Sequence, residues 1–165
     1  MKRLVYDELD DTTREHWDRW FDVLRDPDAQ QARHRLERVN GGRCCLGHAC
    51  HMFAEAGLLT RKVDSNSLTT SVSYGRSGDG FALVVLPLTA MRLLGGVTEH
   101  CYFCTPVGLN SYFPHRYPEA RALAYSAADL NDTFKLTLPE IATVLEGELQ
   151  KGNITANGDI IYEAA

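Results

Sequence analysis

Residues 43–51 read Arg-Cys-Cys-Leu-Gly-His-Ala-Cys-His, and few stretches of nine residues carry more potential chemistry. If a helix begins near Cys44, then Cys44, His48, His51 and Glu55 fall at i, i+4, i+7 and i+11 on one continuous face. A thiolate, two imidazoles and a carboxylate are all zinc ligands. A second cluster, His100-Cys101-Tyr102-Phe103-Cys104, holds a Cys-x-x-Cys that could complete a tetrahedral site with two ligands from the helix. If residues 97–105 form a strand, however, Cys101 and Cys104 point to opposite faces, and a shared metal requires a turn between them. Cys44 and Cys45 also lie where a turn feeds a helix N-terminus, a place that lowers a thiol's pKa. A cysteine nucleophile there would need a base, for which His115 and His100 are candidates, and an orienting group, for which Asn131 and Asp132 are candidates. The third reading is packing, because cysteine often behaves as a small buried hydrophobe. Leu46, Ala49, Cys50, Phe53 and Ala56 form an apolar face opposite the histidines, which places Cys50 and at least one of Cys44 and Cys45 in the core.

The elements that must position these residues follow from periodicity. Thr12 and Glu15 have capping-box spacing, and Trp17, Trp20, Phe21 and Leu24 form a helical stripe ended by Asp26-Pro27. Residues 28–39 are either a helix or the first arm of a hairpin turning at Asn40-Gly41-Gly42. The cysteine helix closes at Gly57. Ser71–Tyr74 and, more strongly, Phe81–Leu86 suit strands, with a glycine-rich loop between them that matches no phosphate-binding motif. A short helix over Leu88–Leu94 stops at Gly95-Gly96, and residues 97–105 suit a strand or hairpin arm. Residues 118–132 read as helical. Thr137 and Glu140 form a second capping box before a helix buried through Ile141, Val144, Leu145 and Leu149. Residues 154–163 resemble a hairpin turning at Asn157-Gly158. The expected architecture is α+β: one domain over residues 1–165, with several helices packed on a small, mainly antiparallel sheet.

Composition narrows the function. The 165 residues are 44% hydrophobic and 24% charged, a globular balance. No apolar run approaches the roughly 20 residues of a membrane span, and the first residues lack the apolar segment of a signal peptide, so the expected location is the cytoplasm. Five cysteines are then thiols, metal ligands or redox groups rather than a disulfide framework. A net charge of −5 argues against general nucleic-acid binding. The charge is uneven. Residues 1–30 hold nine acids against five bases, whereas residues 31–43 hold Arg33, Arg35, Arg38 and Arg43 against Glu37 alone. That basic stretch is either a solvated face or a surface that meets an anion.

The order of Trp17, Leu24-Arg25, a glutamine at 30 or 31, Cys44-Cys45-Leu46-Gly47 with Cys50, Leu130-Asn131-Asp132 and the helix from Pro139 to Glu146 resembles a family. It is a group of small uncharacterised proteins common in bacteriophages of actinobacteria, and the resemblance spans roughly residues 17 to 146. The family pattern is usually apolar at position 48 and often acidic at position 51, so a zinc face through His48 and His51 would be private to this sequence. The resemblance implies that Cys44, Cys45, Gly47, Asn131 and Asp132 are the shared centre, with Asn131-Asp132 either orienting a nucleophile or simply ending one helix before the next. It supplies no activity. The leading expectation is therefore a phage-type accessory protein that binds a host or defence component, or a small anionic signalling ligand, through Arg33, Arg35 and Arg38, without catalysis. A cysteine-dependent hydrolase or transferase centred on Cys44 or Cys45 is the alternative, and a zinc-stabilised interaction module lies between the two.

Overall fold

The structure, a computed structural model, describes residues 2–65, 70–105, 108–117 and 123–157. Helix α1 (Asp11–Arg25) starts two residues earlier than the Thr12–Glu15 spacing suggests. Asp10 is its N-cap: the carboxylate accepts from the Thr13 backbone N–H at 2.8 Å and from the Thr13 hydroxyl at 2.7 Å. Its stripe of Trp17, Trp20, Phe21 and Leu24 is fully buried. Both indoles also find acceptors, Trp17 the Leu94 carbonyl at 3.2 Å and Trp20 the Cys45 carbonyl at 3.0 Å, as buried Trp N–H groups require. Asp26 ends the helix, before Pro27.

Residues 26–44 form neither a regular helix nor a strand. The turn at Asn40-Gly41-Gly42 is real, with Gly41 in the left-handed region and Arg38 exchanging backbone bonds with Gly41 and Gly42. Only isolated bridges join Gln31 and Glu37 to Arg43, because Leu36 turns away to donate to the Leu83 carbonyl. Helix α2 (Cys45–Glu55) follows. It buries Leu46, Ala49, Cys50 and Phe53 as its spacing predicts, and Met52 as well, while Ala56 lies beyond the helix and is exposed. Gly47 packs so tightly on the preceding loop that a Cβ there would fall 1.6 Å from the Leu36 carbonyl oxygen.

There are two antiparallel sheets rather than one. Strands β2 (Thr60–Ser65), β3 (Thr70–Arg76) and β4 (Gly80–Ala82) lie in that order. Strands β1 (Lys2–Leu4) and β7 (Ile154–Ala156), β5 (Tyr102–Thr105) and β6 (Leu123–Ser126) form the other, in the order β1-β7-β5-β6. Helices α3 (Leu88–Leu93), α4 (Ala127–Asp132) and α5 (Leu138–Gln150) complete the fold. The core lies where α1, α2, α4 and α5 meet one another and where α2 and α5 meet the two sheets. The α+β class is as expected, and α5 has both its capping box and its buried stripe.

Two local readings change, and one strand is new. Phe81–Leu86 is a strand only at Phe81-Ala82, because the Leu83 carbonyl is taken by Leu36 and the Leu86 N–H by Glu99, outside any ladder. Residues 123–126 are strand, not helix: they pair with Tyr102–Thr105, and Ser126 closes a capping box with Asp129 that starts α4 there. Residues 118–122 and the turn at Gly158 lie outside the described residues. Strand β2, exposed at every position and polar except at Val63, carries no burial signal and is held by its six-residue register with β3.

Candidate functional site

The cysteines are placed by α2 and are mostly sequestered. Cys44 is the N-cap, its Sγ accepting from the Gly47 N–H at 3.4 Å. Burial, reinforced by the charge of Asp132, pushes its thiol up to about 11 even though the Gly47 and Leu46 amides act in the opposite sense. Cys45 is inaccessible and donates to the Ala127 carbonyl at 3.3 Å. Burial raises Cys45 and Cys50 well above the ordinary thiol range and Cys101 to about 12. Only Cys104 is exposed. The helix N-terminus therefore stabilises Cys44 as a cap and does not make it a thiolate.

Of the proposed partners, Asp132 lies close enough for its charge to act on Cys44 and Cys45, but among the described residues neither candidate base hydrogen-bonds a thiol. His115 is exposed on the loop after the 3-10 turn Leu109–Ser111, and His100 pairs with Glu99 at 3.6 Å. The zinc face also fails to converge, and among the described residues no three His, Cys, Asp or Glu side chains are grouped to hold a metal ion. Cys44 Sγ turns inward as a cap. The His48 ring is spent on the Gln30 carbonyl at 3.3 Å, and burial lowers its pKa to about 4. His51 stands 3.4 Å from the Tyr74 hydroxyl and 3.5 Å from Glu55. His48, His51 and Glu55 do share a surface depression with Arg43, but without a thiolate. Cys101 is buried in a left-handed conformation before β5, whereas Cys104 is on the strand's exposed face, so the Cys-x-x-Cys makes no chelating turn.

What the fold does assemble is the segment 31–34 against the end of α4. The Asn131 side chain, fully buried, accepts from Gln31 Nε2 at 2.9 Å and donates to the Ala32 carbonyl at 3.0 Å. Gln31 also donates to the Leu136 carbonyl at 2.8 Å, so Gln31 and not Gln30 is the glutamine that engages Asn131. Arg33 Nε donates to the Asn131 carbonyl at 3.1 Å. Asp132 accepts from the His34 backbone N–H at 3.0 Å and lies 3.5 Å from the His34 ring. Asn131-Asp132 thus fastens a basic loop to the core.

Further along that loop, Glu37 is buried as a carboxylate. Burial alone would raise its pKa, but hydrogen bonds from Arg61, Tyr74 and Arg43, with the charge of Arg43, outweigh this and hold it at about 2. Arg61 Nη2 approaches at 2.7 Å and Arg43 Nε at 3.1 Å, and the Tyr74 hydroxyl donates to the same carboxylate. In the sequence Glu37 is merely the one acid among four arginines, which is itself the signal of a buried counter-ion; Arg61 and Tyr74, on the sheet, carry no such signal.

With Glu37 neutralised from within, the outer side of the loop is cationic. Arg33, His34, Arg35 and Arg38 line a depression of about 430 Å³ that reaches Val39 and Thr70. Among the described residues the side chains of Arg35 and Arg38 have no hydrogen-bond or ion-pair partner, while Arg33 and His34 are held by Asn131 and Asp132.

No family model, no curated protein and no solved structure matches this chain. No helix among the described residues is long and apolar enough to cross a membrane.

Proposed function

We propose that this is an accessory protein of the phage type its motifs resemble, acting by binding an anionic host or defence component through the face formed by Arg33, His34, Arg35 and Arg38. The observation that carries this reading is that Arg35 and Arg38 have no partner among the described residues and stand beside two preorganised basic residues. Guanidinium groups match carboxylates and phosphates bidentately, and Glu37, the acid within the loop, is already satisfied by Arg43, Arg61 and Tyr74. The buried thiols weigh against the cysteine-enzyme alternative, since a nucleophile needs both access and a thiolate.

The test compares Arg35→Glu/Arg38→Glu with Cys44→Ala and Cys45→Ala, each checked for parental folding, in a host growth or defence assay. The arginine double variant loses the effect and the cysteine variants keep it. A folded cysteine variant that loses all effect while the arginine variant is silent replaces this reading with the enzyme one.

A further inference from the structure

The basic face is not one hollow. A second depression of about 350 Å³, lined by Gln31, Ala32, Arg33, His34 and Arg38, adjoins the first. Arg33, His34 and Arg38 line both, while Arg35, Val39, Thr70 and the already paired Glu37 line the larger lobe alone. We infer that this face takes a small molecule carrying two adjacent phosphoryl groups, gathered by Arg33, Arg35 and Arg38. The inference rests on the reading of this loop as the binding face and adds the chemical class of its ligand.

Three features support that class. The volumes lie within the range of small-molecule sites, roughly 300–1,000 Å³. A protein partner would instead need about 800 Å² of contact on each side, much of it apolar at the centre, and the exposed apolar residue in this lining is Val39. Second, two of the three residues shared by both lobes are preorganised. Arg33 is held by the Asn131 carbonyl and His34 by Asp132, so ordering them on binding loses little conformational entropy. Arg35 and Arg38 remain able to fold over a ligand. Third, phosphoryl oxygens accept several charge-assisted bonds each, and two adjacent groups engage more of these guanidinium donors than a single phosphate does. The net charge of −5 opposes long polyanions, which favours a short ligand over a nucleic-acid strand.

The experiment is calorimetric titration of the full chain, in the presence of EDTA, with inorganic pyrophosphate, with inorganic phosphate and with a glutamate-rich octapeptide. Pyrophosphate is expected to bind at least about tenfold more tightly than phosphate, with affinity falling as salt is raised. Arg38→Ala, which alters both lobes, weakens both anions. Arg35→Ala, which alters only the larger lobe, weakens pyrophosphate and narrows its advantage over phosphate. Neither side chain has a partner among the described residues, so both variants should melt like the parent. Equal binding of pyrophosphate and phosphate, or unchanged pyrophosphate binding in both variants, overturns the inference. If the peptide alone binds and Arg38→Ala abolishes it, the ligand class is wrong while the binding face stands. If none of the three binds, the ligand class is again refuted, and the binding face is judged by the growth assay alone.

Discussion

Gln31 and Asn131, one hundred residues apart in the chain, are joined by a 2.9 Å hydrogen bond between their side-chain amides. The pair connects the basic loop to α4 and, through the second bond of Gln31 to the Leu136 carbonyl, to the approach to α5. Because Asn131 is fully buried, removing its side chain takes a donor from the buried Ala32 carbonyl and leaves Gln31 only the Leu136 carbonyl.

Asn131→Ala is therefore expected to destabilise the protein by about 2–4 kcal/mol and Gln31→Ala by about 1–2 kcal/mol, with the double variant less destabilised than their sum. Urea denaturation of the four proteins measures the coupling. Strict additivity would show that the two amides act independently.

Gly47→Ala should be the most damaging small substitution in α2. Its Cβ would fall 1.6 Å from the Leu36 carbonyl oxygen, which is backbone and cannot rotate aside. A loss of roughly 3 kcal/mol or more is expected, against about 1 kcal/mol for Gly57→Ala, where only the left-handed backbone objects. Thermal melts of the two variants rank them directly, and a Gly47→Ala protein as stable as the parent would contradict the packing.

Stability should fall on acidification in two steps. His48 is neutral in the fold, with its pKa near 4 against an ordinary 6.5, so between these values the unfolded chain binds more protons than the native one. The contribution is present above pH 6.5 and is lost as pH falls to about 4, amounting to roughly 3 kcal/mol at most. His51, lowered chiefly by burial, acts in the same direction. Glu37 then titrates: its contribution is present above pH 4.5 and is lost as pH falls toward 2. Denaturation of His48→Gln, which keeps a donor for the Gln30 carbonyl and does not titrate, should flatten the upper step and leave the lower one.

Native protein treated with iodoacetamide should gain one adduct quickly, at Cys104, with Cys44, Cys45, Cys50 and Cys101 reacting only after denaturation. Intact mass and peptide mapping count the adducts. Rapid modification of Cys44 in the folded protein would reopen the nucleophile reading. Cys50→Ser, which places a hydroxyl where an apolar thiol is buried, should destabilise by about 1–3 kcal/mol.

What the chain specifies by itself is local. The stripe of Trp17, Trp20, Phe21 and Leu24, the capping box of Thr137 and Glu140, and the turn at Asn40-Gly41-Gly42 depend on neighbours a few residues away, and each forms where the spacing predicts. The arginine stretch was also visible as a run of like charge. The α+β class followed from counting such segments. The tertiary structure alone decided the rest. Strand β2 has no apolar alternation and exists because β3 pairs with it. Residues 123–126 carry helix formers and became a strand because β5 offered a ladder, with Ser126 confining the helix to the far side. The chemistry suggested by Cys44, His48, His51 and the Cys-x-x-Cys was a statement about spacing, whereas ligation and nucleophilicity depend on where side chains point and how much water reaches them. Burial turned four of the five thiols into core and a cap, and it turned Glu37 into the counter-ion of arginines 6 and 24 residues away. Such pairings are set by the desolvation of charges brought together across the fold, a quantity that no window along the chain contains.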